Sequence, residues 1–296
     1  MGSLAKNEAR WGLLFIAPWI VGFLLFQLGP MIASFYFSLT EYNVLRPPEW
    51  IGLANYVRIV TADPKFWPSL GVTAYYVALS VPLTVGGALL CAILLNQKIK
   101  GRVVYRALFF TPSITPAVAA VLVWVWVLNP HYGVLNYLLS LAGIDGPSWL
   151  GDPRWAVPSL VMLRIWGAVG GTTAVIFLSA LQDIPRHLYE AAEVDGATWW
   201  QLQQAITVPL LTPATFFALV MGIIGSFQTF TAAFVATQGG PAGATYFYVL
   251  HLYNAAFVSF EMGYSSALSW VLLVILLAFT WLQIKGSERW VHYGSG

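Results

Sequence analysis

Charged side chains are scarce in this sequence. Asp, Glu, Lys and Arg make up 9% of its 296 residues, 58% are hydrophobic, and the mean hydropathy is +0.72. A soluble globular domain carries about 25% charge, so this chain lacks the charge to cover a water-exposed surface. The composition therefore excludes an ordinary soluble protein and predicts a membrane protein. The formal net charge of +2 indicates neither nucleic acid nor an acidic substrate as a partner.

Three further absences narrow the function. Cys91 is the only cysteine and lies in an apolar run, which excludes an intrachain disulfide and predicts a small buried side chain. No Gly-x-x-x-x-Gly-Lys-Ser/Thr sequence is present, so the chain has no phosphate-binding loop of its own. His131 and His187 are isolated from other ligand types, so no metal site is expected. No clustered nucleophile, base or metal set supports a membrane-embedded enzyme.

Long apolar runs are what the sequence does contain. A membrane-spanning helix needs roughly 20 such residues, and six runs qualify: 12–38, 70–96, 104–129, 157–181, 210–236 and 263–284. The first run, Trp11 to Leu39, is too long for a signal-peptide core of roughly 7–15 residues. We therefore interpret it as a retained span. The third run has no charge between Ala107 and Leu128, and the fourth carries Arg164. The predicted fold class is all-α transmembrane with six spans.

The distribution of Lys and Arg predicts the orientation, because positive loops stay in the cytoplasm. With a cytoplasmic N-terminus, nine basic residues lie inside: Lys6, Arg10, Lys98, Lys100, Arg102, Arg106, Arg186, Lys285 and Arg289. Four lie outside: Arg46, Arg58, Lys65 and Arg154. We therefore expect a cytoplasmic N-terminus (1–11), a transmembrane domain (12–284) with a cytoplasmic loop at 182–209, and a cytoplasmic tail (285–296).

The three predicted outer loops are 39–69, 130–156 and 237–262. The stretch Val134 to Leu141 predicts a short interfacial helix, and Gly239-Gly240-Pro241 predicts a turn. No span contains a carboxylate, since Glu41, Asp183 and Glu261 fall at or beyond span ends. Ion-coupled secondary transporters and channels are expected to have such groups, so that class is the alternative rather than the first hypothesis.

The inner loop 182–209 is long and patterned. Pro185 suits a helix start, Gly196 ends or bends that helix, and a second short helix is predicted from Thr198 until Pro209 stops it. The loop carries three acids, Glu190, Glu193 and Asp195, whereas a helix lying on anionic headgroups favours a basic face. The residues therefore favour a helix–turn–helix for docking another protein over simple interfacial packing.

This loop resembles the Glu-Ala-Ala loop of binding-protein-dependent ATP-binding-cassette (ABC) transporter permeases. That pattern is Glu-Ala-Ala, three residues, Gly, nine residues, then Ile-x-Leu-Pro. The matching residues are Glu190, Ala191, Ala192, Asp195, Gly196, Ile206 and Pro209, with Val208 replacing the usual Leu.

Shorter stretches resemble the carbohydrate-uptake branch of the same family. They are Trp50 to Tyr56, Arg106 to Pro112, and the segments around Gly239 to Thr245, Tyr253 to Phe257 and Met262 to Tyr264.

The resemblance implies a six-span type I ABC importer permease in a bacterial or archaeal cell (inner) membrane. It also implies four partners: a second homologous permease, a cytoplasmic ATPase dimer that binds ATP and Mg on its own chains, an extracytoplasmic solute-binding protein, and a sugar-like solute. The 182–209 loop then acts as the coupling loop in a cleft of one ATPase subunit. Monosaccharide, oligosaccharide and glycerol phosphate all stay open as solutes, and no cofactor is expected in this chain.

Polar residues within spans are the candidates for the solute path, because they cost free energy in lipid. We select Arg164, Gln228, Phe230, Thr231 and Asn254. For Arg164 the alternative is that it snorkels or pairs with a carboxylate, and for the others it is ordinary interhelical packing. His251, Tyr253 and Asn254 are also candidates to face the binding protein or the outer mouth.

Overall fold

The structure, a computed structural model, describes residues 3–97 and 100–291. Lys98, one of the predicted inside charges, lies outside the described residues. The chain divides into two compact units. The first comprises Met1–Asp63 and Leu252–Val274, and the second comprises Pro64–His251 and Ile275–Gly296.

The first unit begins with a long apolar helix. It consists of α1 (Ser3–Phe23), a π-helical segment (Leu24–Leu28) and α2 (Gly29–Ser38). Within it, Arg10–Ser38 forms a candidate span of 29 residues, and none of its most apolar window is buried in the chain. An apolar helix with so little of its surface buried in its own chain suits lipid or another membrane subunit as its surroundings.

After this helix come a two-stranded ladder, β1 (Thr40–Glu41) with β2 (Glu49–Trp50), and then α3 (Ala54–Thr61). This small sheet is an addition to the predicted all-α fold. Asn55 is buried and donates its amide hydrogens to the carbonyls of Ser38 (3.0 Å) and Thr40 (2.9 Å). It thereby satisfies carbonyls at the end of α2 that the helix leaves without partners.

A charged cluster ties α3 to the later part of the first unit. Both guanidinium Nη atoms of Arg58 donate to Glu261 at 3.0 Å, and the guanidinium lies 4.2 Å from the ring centroid of Tyr264. The Tyr264 hydroxyl donates in turn to Asp63. The hydrogen bonds and charge of Glu261 raise the pKa of Arg58 above its ordinary value. A two-pronged Arg–carboxylate contact fixes geometry as well as charge.

The second unit contains most of the helices. They are α4 (Phe66–Asn96), α5 (Arg102–Ile114), α6 (Ala117–Val127), α7 (Val134–Leu141), α8 (Pro153–Ala168), α9 (Thr172–Asp183), α10 (Arg186–Val194), α11 (Trp199–Leu202), a π-helical segment (Gln203–Thr207), α12 (Val208–Leu210), α13 (Thr212–Phe227) and α14 (Thr231–Ala236). The short helix α7 confirms the prediction for Val134 to Leu141.

The last two α-helices each contain residues of both units. Helix α15 (Tyr248–Tyr253) begins in the second unit, and a π-helical segment (Asn254–Val258) follows it in the first. Helix α16 (Met262–Ser287) begins in the first unit and ends in the second.

Helix α4 is the central element of the second unit and packs against α8, α9 and α13. Its buried Thr73 and Thr84 donate their hydroxyls to carbonyls four residues earlier, at 2.7 and 2.8 Å. Because these hydroxyls are satisfied within the helix, they cost little in an apolar core. Ser80 also meets Ser226 of α13 at 3.4 Å, which is typical of small residues between membrane helices. Cys91 is buried in the same helix, as predicted.

The structure contains up to six candidate spans when each bent helix pair is counted as one, with breaks that the sequence did not predict. Three helices are long and apolar enough to cross a membrane alone: Arg10–Ser38, Phe66–Asn96 and Met262–Ser287. The others are bent pairs: Arg102–Ile114 with Ala117–Val127 (99°), Pro153–Ala168 with Thr172–Asp183 (47°), and Trp199–Leu210 with Thr212–Phe227 (63°).

Three predicted spans therefore need correction. The run 157–181 is interrupted between Ala168 and Thr172, where α8 ends and α9 begins. The run 104–129 is broken at Thr115, which takes an extended conformation (ψ 131°) before Pro116, because a residue that precedes proline avoids the helical region. The run 210–236 ends as a helix at Phe227, and α14 begins only after Phe230, which is not helical.

Two of the prolines within the helical runs, Pro30 and Pro209, follow π-helical turns. In two segments the last hydrogen bond runs from a backbone N–H to the carbonyl five residues earlier, and its donor is the residue just before a proline. Gly29 donates to Leu24 before Pro30, and Val208 donates to Gln203 before Pro209. Since proline has no N–H, the wider turn takes up the change in hydrogen bonding. The second helix of the inner loop consequently runs one residue past Pro209, to Leu210, and Pro209 does not stop it as predicted.

Candidate functional site

The inner loop forms two helical arms joined by a tight turn. The first arm is α10, and the second begins at α11 and continues through the π-helical segment into α12. Glu190 and Ala191 are exposed on the first arm, and Ala192 is half-buried. Ile206 is half-buried in the π-helical segment, and Pro209 lies in α12. The predicted helix–turn–helix is confirmed.

The turn depends on Gly196, which has a left-handed backbone (φ +80°). Its N–H donates to the carbonyl of Glu193 at 3.0 Å, and the N–H of Ala197 donates to that of Ala192 at 2.9 Å. This pair of bonds is the Schellman end of a helix, in which glycine is favoured because it has no Cβ. Asp195 is the last residue before this turn.

A capping box starts the second arm. The Thr198 hydroxyl accepts from the N–H of Gln201, and the Gln201 side chain accepts from the N–H of Thr198 at 2.7 Å. The two arms are then joined by the hydroxyls of Tyr189 and Thr207, 3.0 Å apart, of which Thr207 is buried. The backbone turn and this contact hold the arms in one arrangement.

The outer surface of the loop is apolar as well as acidic. Val194 is 88% exposed, and the side chains of Trp199 and Trp200 are 55% and 60% exposed. On the other side, Glu190 lines a cavity of about 610 Å³ with Arg102, Arg106 and Arg186. None of these four side chains forms an ion pair with another described residue. A loop that leaves large apolar groups and an unpaired acid exposed is suited to contact another protein.

A second cavity, of about 440 Å³, lies in the second unit where three bent segments meet. It is lined by the α5–α6 break (Pro112, Ser113, Thr115, Ala117), the end of α8 (Leu163, Arg164, Trp166, Gly167, Ala168), the α13–α14 break (Gly225, Gln228, Thr229, Phe230, Thr231, Ala232) and neighbouring residues Tyr76, Ala120 and Val121. Four of the five predicted solute-path residues therefore meet in one place: Arg164, Gln228, Phe230 and Thr231.

Close packing of the α8–α9 turn shapes this cavity. A Cβ on Gly170 would lie 1.9 Å from the carbonyl oxygen of Phe109, and one on Gly171 would lie 2.9 Å from the Cβ of Ser113. Only glycine allows this approach of the turn to α5. The cavity thus depends on contacts between distant parts of the chain.

The fifth predicted solute-path residue, Asn254, and the predicted outer-mouth residue His251 lie outside this cavity. Asn254 belongs to the first unit, in the π-helical segment Asn254–Val258, where its carbonyl accepts from Ser259 at 2.8 Å. His251 is buried, with its Nδ1 atom 3.3 Å from the Tyr246 hydroxyl. The prediction that His251 faces a binding protein or an outer mouth is therefore wrong. In the described part of the chain, no group of three His, Cys, Asp or Glu side chains could hold a metal ion.

Comparison with known proteins identifies the family. Residues 84–284 match the family described as the binding-protein-dependent transport system inner membrane component. The chain is 44% identical to the probable ABC transporter permease protein YesP of Bacillus subtilis, over 99% of this chain and 95% of that protein. It is 35% identical to the trehalose/maltose transport system permease protein MalF of Thermococcus litoralis, over 96% and 95%.

The chain belongs to this family. Its fold is also that of one chain in the crystal structure of a bacterial alginate ABC transporter in complex with an alginate pentasaccharide-bound periplasmic protein. The TM-score is 0.86 at 24% identity, over 99% of this chain and all of that one. The predicted family and the predicted importer-permease fold are both confirmed, and the chain is a transport component of the inner membrane.

In this permease, sequence reasoning missed several residues of the two regions. Tyr76 and Trp166 line the cavity beside Arg164, and the Tyr189–Thr207 contact joins the arms of the loop. Tyr76 carries a hydroxyl within a predicted span, which was the available signal. Which hydroxyls share one cavity is decided by the helix breaks, and the sequence did not predict those.

Proposed function

We propose that this permease couples ATP hydrolysis on separate subunits to solute passage, through the loop 182–209. The observation that carries the proposal is the rigid, exposed helix–turn–helix, with its Schellman turn at Gly196 and its exposed Val194. Glu190, Ala191, Ala192, Asp195, Gly196, Ile206 and Pro209 form or support the docking surface. Because the chain has no phosphate-binding loop, ATP and Mg are bound by the partner subunits.

The proposed assembly contains a second permease, two ATPase subunits and an extracytoplasmic binding protein. The family description, which names binding-protein dependence, supports the last of these. The exposed apolar surface of Arg10–Ser38 supports another membrane subunit or lipid around the first helix. The permease forms half of the translocation path, and the cavity around Arg164 belongs to its share of that path.

The proposed solute class is carbohydrate or polyol phosphate. The relatives support it, since one is named for trehalose and maltose and the structural neighbour for alginate. The cavity adds aromatic rings and hydrogen-bonding side chains, which suit the apolar faces and hydroxyls of a sugar. In the proposed orientation both termini and the loop 182–209 face the cytoplasm, as the distribution of Lys and Arg predicts.

Site-directed cysteines test this proposal. Cys91 is buried, so Cys91→Ala gives a background with little loss of contact. Val194→Cys then places one thiol on the coupling loop, and Tyr137→Cys places one on α7 as the matched control, since its side chain is 63% exposed. In intact cells, a membrane-impermeant maleimide should label Tyr137→Cys and leave Val194→Cys unlabelled until the membrane is opened.

The same variants test docking. A bifunctional maleimide should join Val194→Cys to a chain that contains a Gly-x-x-x-x-Gly-Lys-Ser/Thr loop, identified by peptide mass, and ATP should change the yield. Tyr137→Cys should give no such product. Labelling of Val194→Cys from outside the cell, or equal crosslinking of both variants to the ATPase, contradicts the proposed orientation and docking.

A further inference from the structure

The described residues that line the cavity around Arg164 carry positive charge and no negative charge. Of the described residues that line it, Arg164 alone carries a charge, and the other polar groups are hydroxyls, an amide and backbone. Although the net charge of the whole chain indicates nothing about the substrate, the local field in a low-dielectric cavity is set by the nearest full charge.

Arg164 lacks a counter-charge among the residues that the structure describes. Its Nε atom is buried and has no hydrogen-bond partner, and it forms no ion pair with a described residue. One Nη atom lies 3.5 Å from the position that a Cβ on Gly225 would occupy, an ordinary contact distance, so the guanidinium lies beside this glycine on α13. The Nε of Arg164 is buried and has no partner among the described residues. Pairing with a carboxylate of the described chain does not account for this, and neither does a side chain that extends to the membrane surface.

The helix breaks do not cancel this charge. Helix α5 ends and α6 begins at the same break, and Thr115 and Ala117 both line the cavity. The partial negative charge at a helix C-terminus and the partial positive charge at an N-terminus are each about half a unit. At one break they offset each other, which leaves the full charge of Arg164 to decide the sign of the potential.

The cavity also has the dimensions of a ligand site. Its volume of about 440 Å³ falls within the roughly 300–1,000 Å³ typical of small-molecule pockets. Trp166, Phe230 and Tyr76 supply ring faces, while Gln228 and Thr231 supply hydrogen-bonding groups. A guanidinium in such a setting binds carboxylate or phosphate oxygens in a two-pronged manner.

We infer that Arg164 is a specificity-determining residue that selects an anionic solute, a uronate-type saccharide or a polyol phosphate, over a neutral sugar. This inference rests on the proposed function and names the charge class of its solute.

The first test measures the field without knowing the solute. In the Cys91→Ala background, Gln228→Cys places a thiol in the cavity. The probes are two methanethiosulfonate reagents of similar size, the anionic sulfonatoethyl and the cationic trimethylammonium-ethyl forms, applied to the whole transporter in nanodiscs. Arg164→Gln should lower the anion-to-cation ratio of reaction rates by about tenfold, because a nearby charge acts strongly in a cavity of low dielectric. Arg154→Gln, which removes an exposed guanidinium from the same unit, should leave the ratio unchanged.

The second test measures selectivity. Binding of digalacturonate and glycerol 3-phosphate is compared with binding of galactobiose and glycerol, by ligand-induced thermal shift of the purified transporter. Arg164→Gln should abolish the shift with the anionic probes and spare any shift with the neutral ones, and Arg164→Lys should retain part of it.

The inference is overturned if Arg164→Gln leaves the reagent ratio unchanged, or lowers anionic and neutral binding equally. Equal loss together with poorer assembly assigns Arg164 to an ion pair with the second permease instead. Neither test requires ATP, so both are separate from the crosslinking that tests docking on 182–209. Docking could fail while the cavity stays anion-selective, and the reverse also holds.

Discussion

The coupling loop and the Arg164 cavity differ in what determines their structure: neighbouring residues in the loop, and distant segments in the cavity. In the loop, the important residues are within twenty positions of one another, and local hydrogen bonds fix the shape: the Schellman turn at Gly196 and the capping box at Thr198. In the cavity, Tyr76, Arg164 and Gln228 come from three distant segments, and tertiary packing brings them together.

This difference predicts which kinds of substitution each region can tolerate. A locally encoded loop is sensitive to backbone substitutions and presents its side chains to a partner. A cavity assembled from helix breaks is sensitive to side-chain volume and charge, while its backbone is held by the surrounding helices. Substitutions that separate ATPase coupling from solute passage therefore test the comparison directly.

The largest effect is expected for Gly196→Pro. Proline cannot adopt φ +80° and has no N–H to donate to Glu193, so the turn between the two arms is lost. Uptake driven by ATP should fall by at least about tenfold, because proline is incompatible with this backbone conformation and the two arms can no longer present one docking surface. The measurement is solute uptake together with ATPase stimulation in proteoliposomes.

Gly143→Pro is a matched control for that substitution. Gly143 ends α7 with the same pair of bonds, from its own N–H to Ser140 and from Ile144 to Leu139, at 3.0 Å each and with φ +72°. The control loses the same motif outside the coupling loop and should keep its coupling ratio. Equal loss of coupling in both variants would mean that the phenotype reports general instability.

An intermediate effect is expected for Gly225→Leu. The added side chain points toward Arg164 Nη2, only 3.5 Å from a Cβ at this position, and fills part of the cavity. Solute uptake should fall by about fivefold, through a rise in the apparent KM, while docking of the ATPase persists. Gly222→Leu, also on α13 but next to Val81, distinguishes filling of the cavity from crowding of the helix. Loss of crosslinking from Val194→Cys in Gly225→Leu would contradict the separation of the two regions.

A smaller effect is expected for Tyr189→Phe. It removes the hydroxyl that meets Thr207 across the two arms at 3.0 Å, a contact worth about 1 kcal/mol. Hydrogen exchange of residues 186–194 should quicken by about fivefold, the equivalent of that free energy. Tyr132→Phe, on an exposed outer tyrosine, should change nothing. A double-mutant cycle with Thr207→Val isolates the pair, and simple additivity would show that the contact does not join the arms.

The smallest effect is expected at Asp152, outside both regions. Its carboxylate accepts from the backbone N–H of Arg154 and pairs with the Arg154 guanidinium, each at 2.9 Å, and these contacts lower the pKa of Asp152. A lowered carboxylate pKa stabilises the folded state above the ordinary value of about 4, and this is lost as pH falls through the folded value. Asp152→Asn should reduce the acid sensitivity of thermal unfolding slightly and leave both uptake and coupling unchanged. A change in either activity would link the outer loop to one of the two regions.

Much of this architecture follows from the sequence because its causes are local or compositional. Scarce charge and six apolar runs predicted the spans, and Pro185, Gly196 and Thr198 predicted the two arms of the coupling loop. Each of these features depends on a residue and its near neighbours, so a short amino-acid pattern is enough to predict it.

Only the tertiary structure decided what the breaks in the spans enclose. The close approach of Gly170 to α5 is a contact between segments far apart in the chain, and the cavity lining likewise comes from distant segments. The sequence could mark Arg164 as a charge in an apolar span. That it lies in a cavity without a carboxylate among the described lining residues is a property of packing, because packing determines which side chains can reach one another.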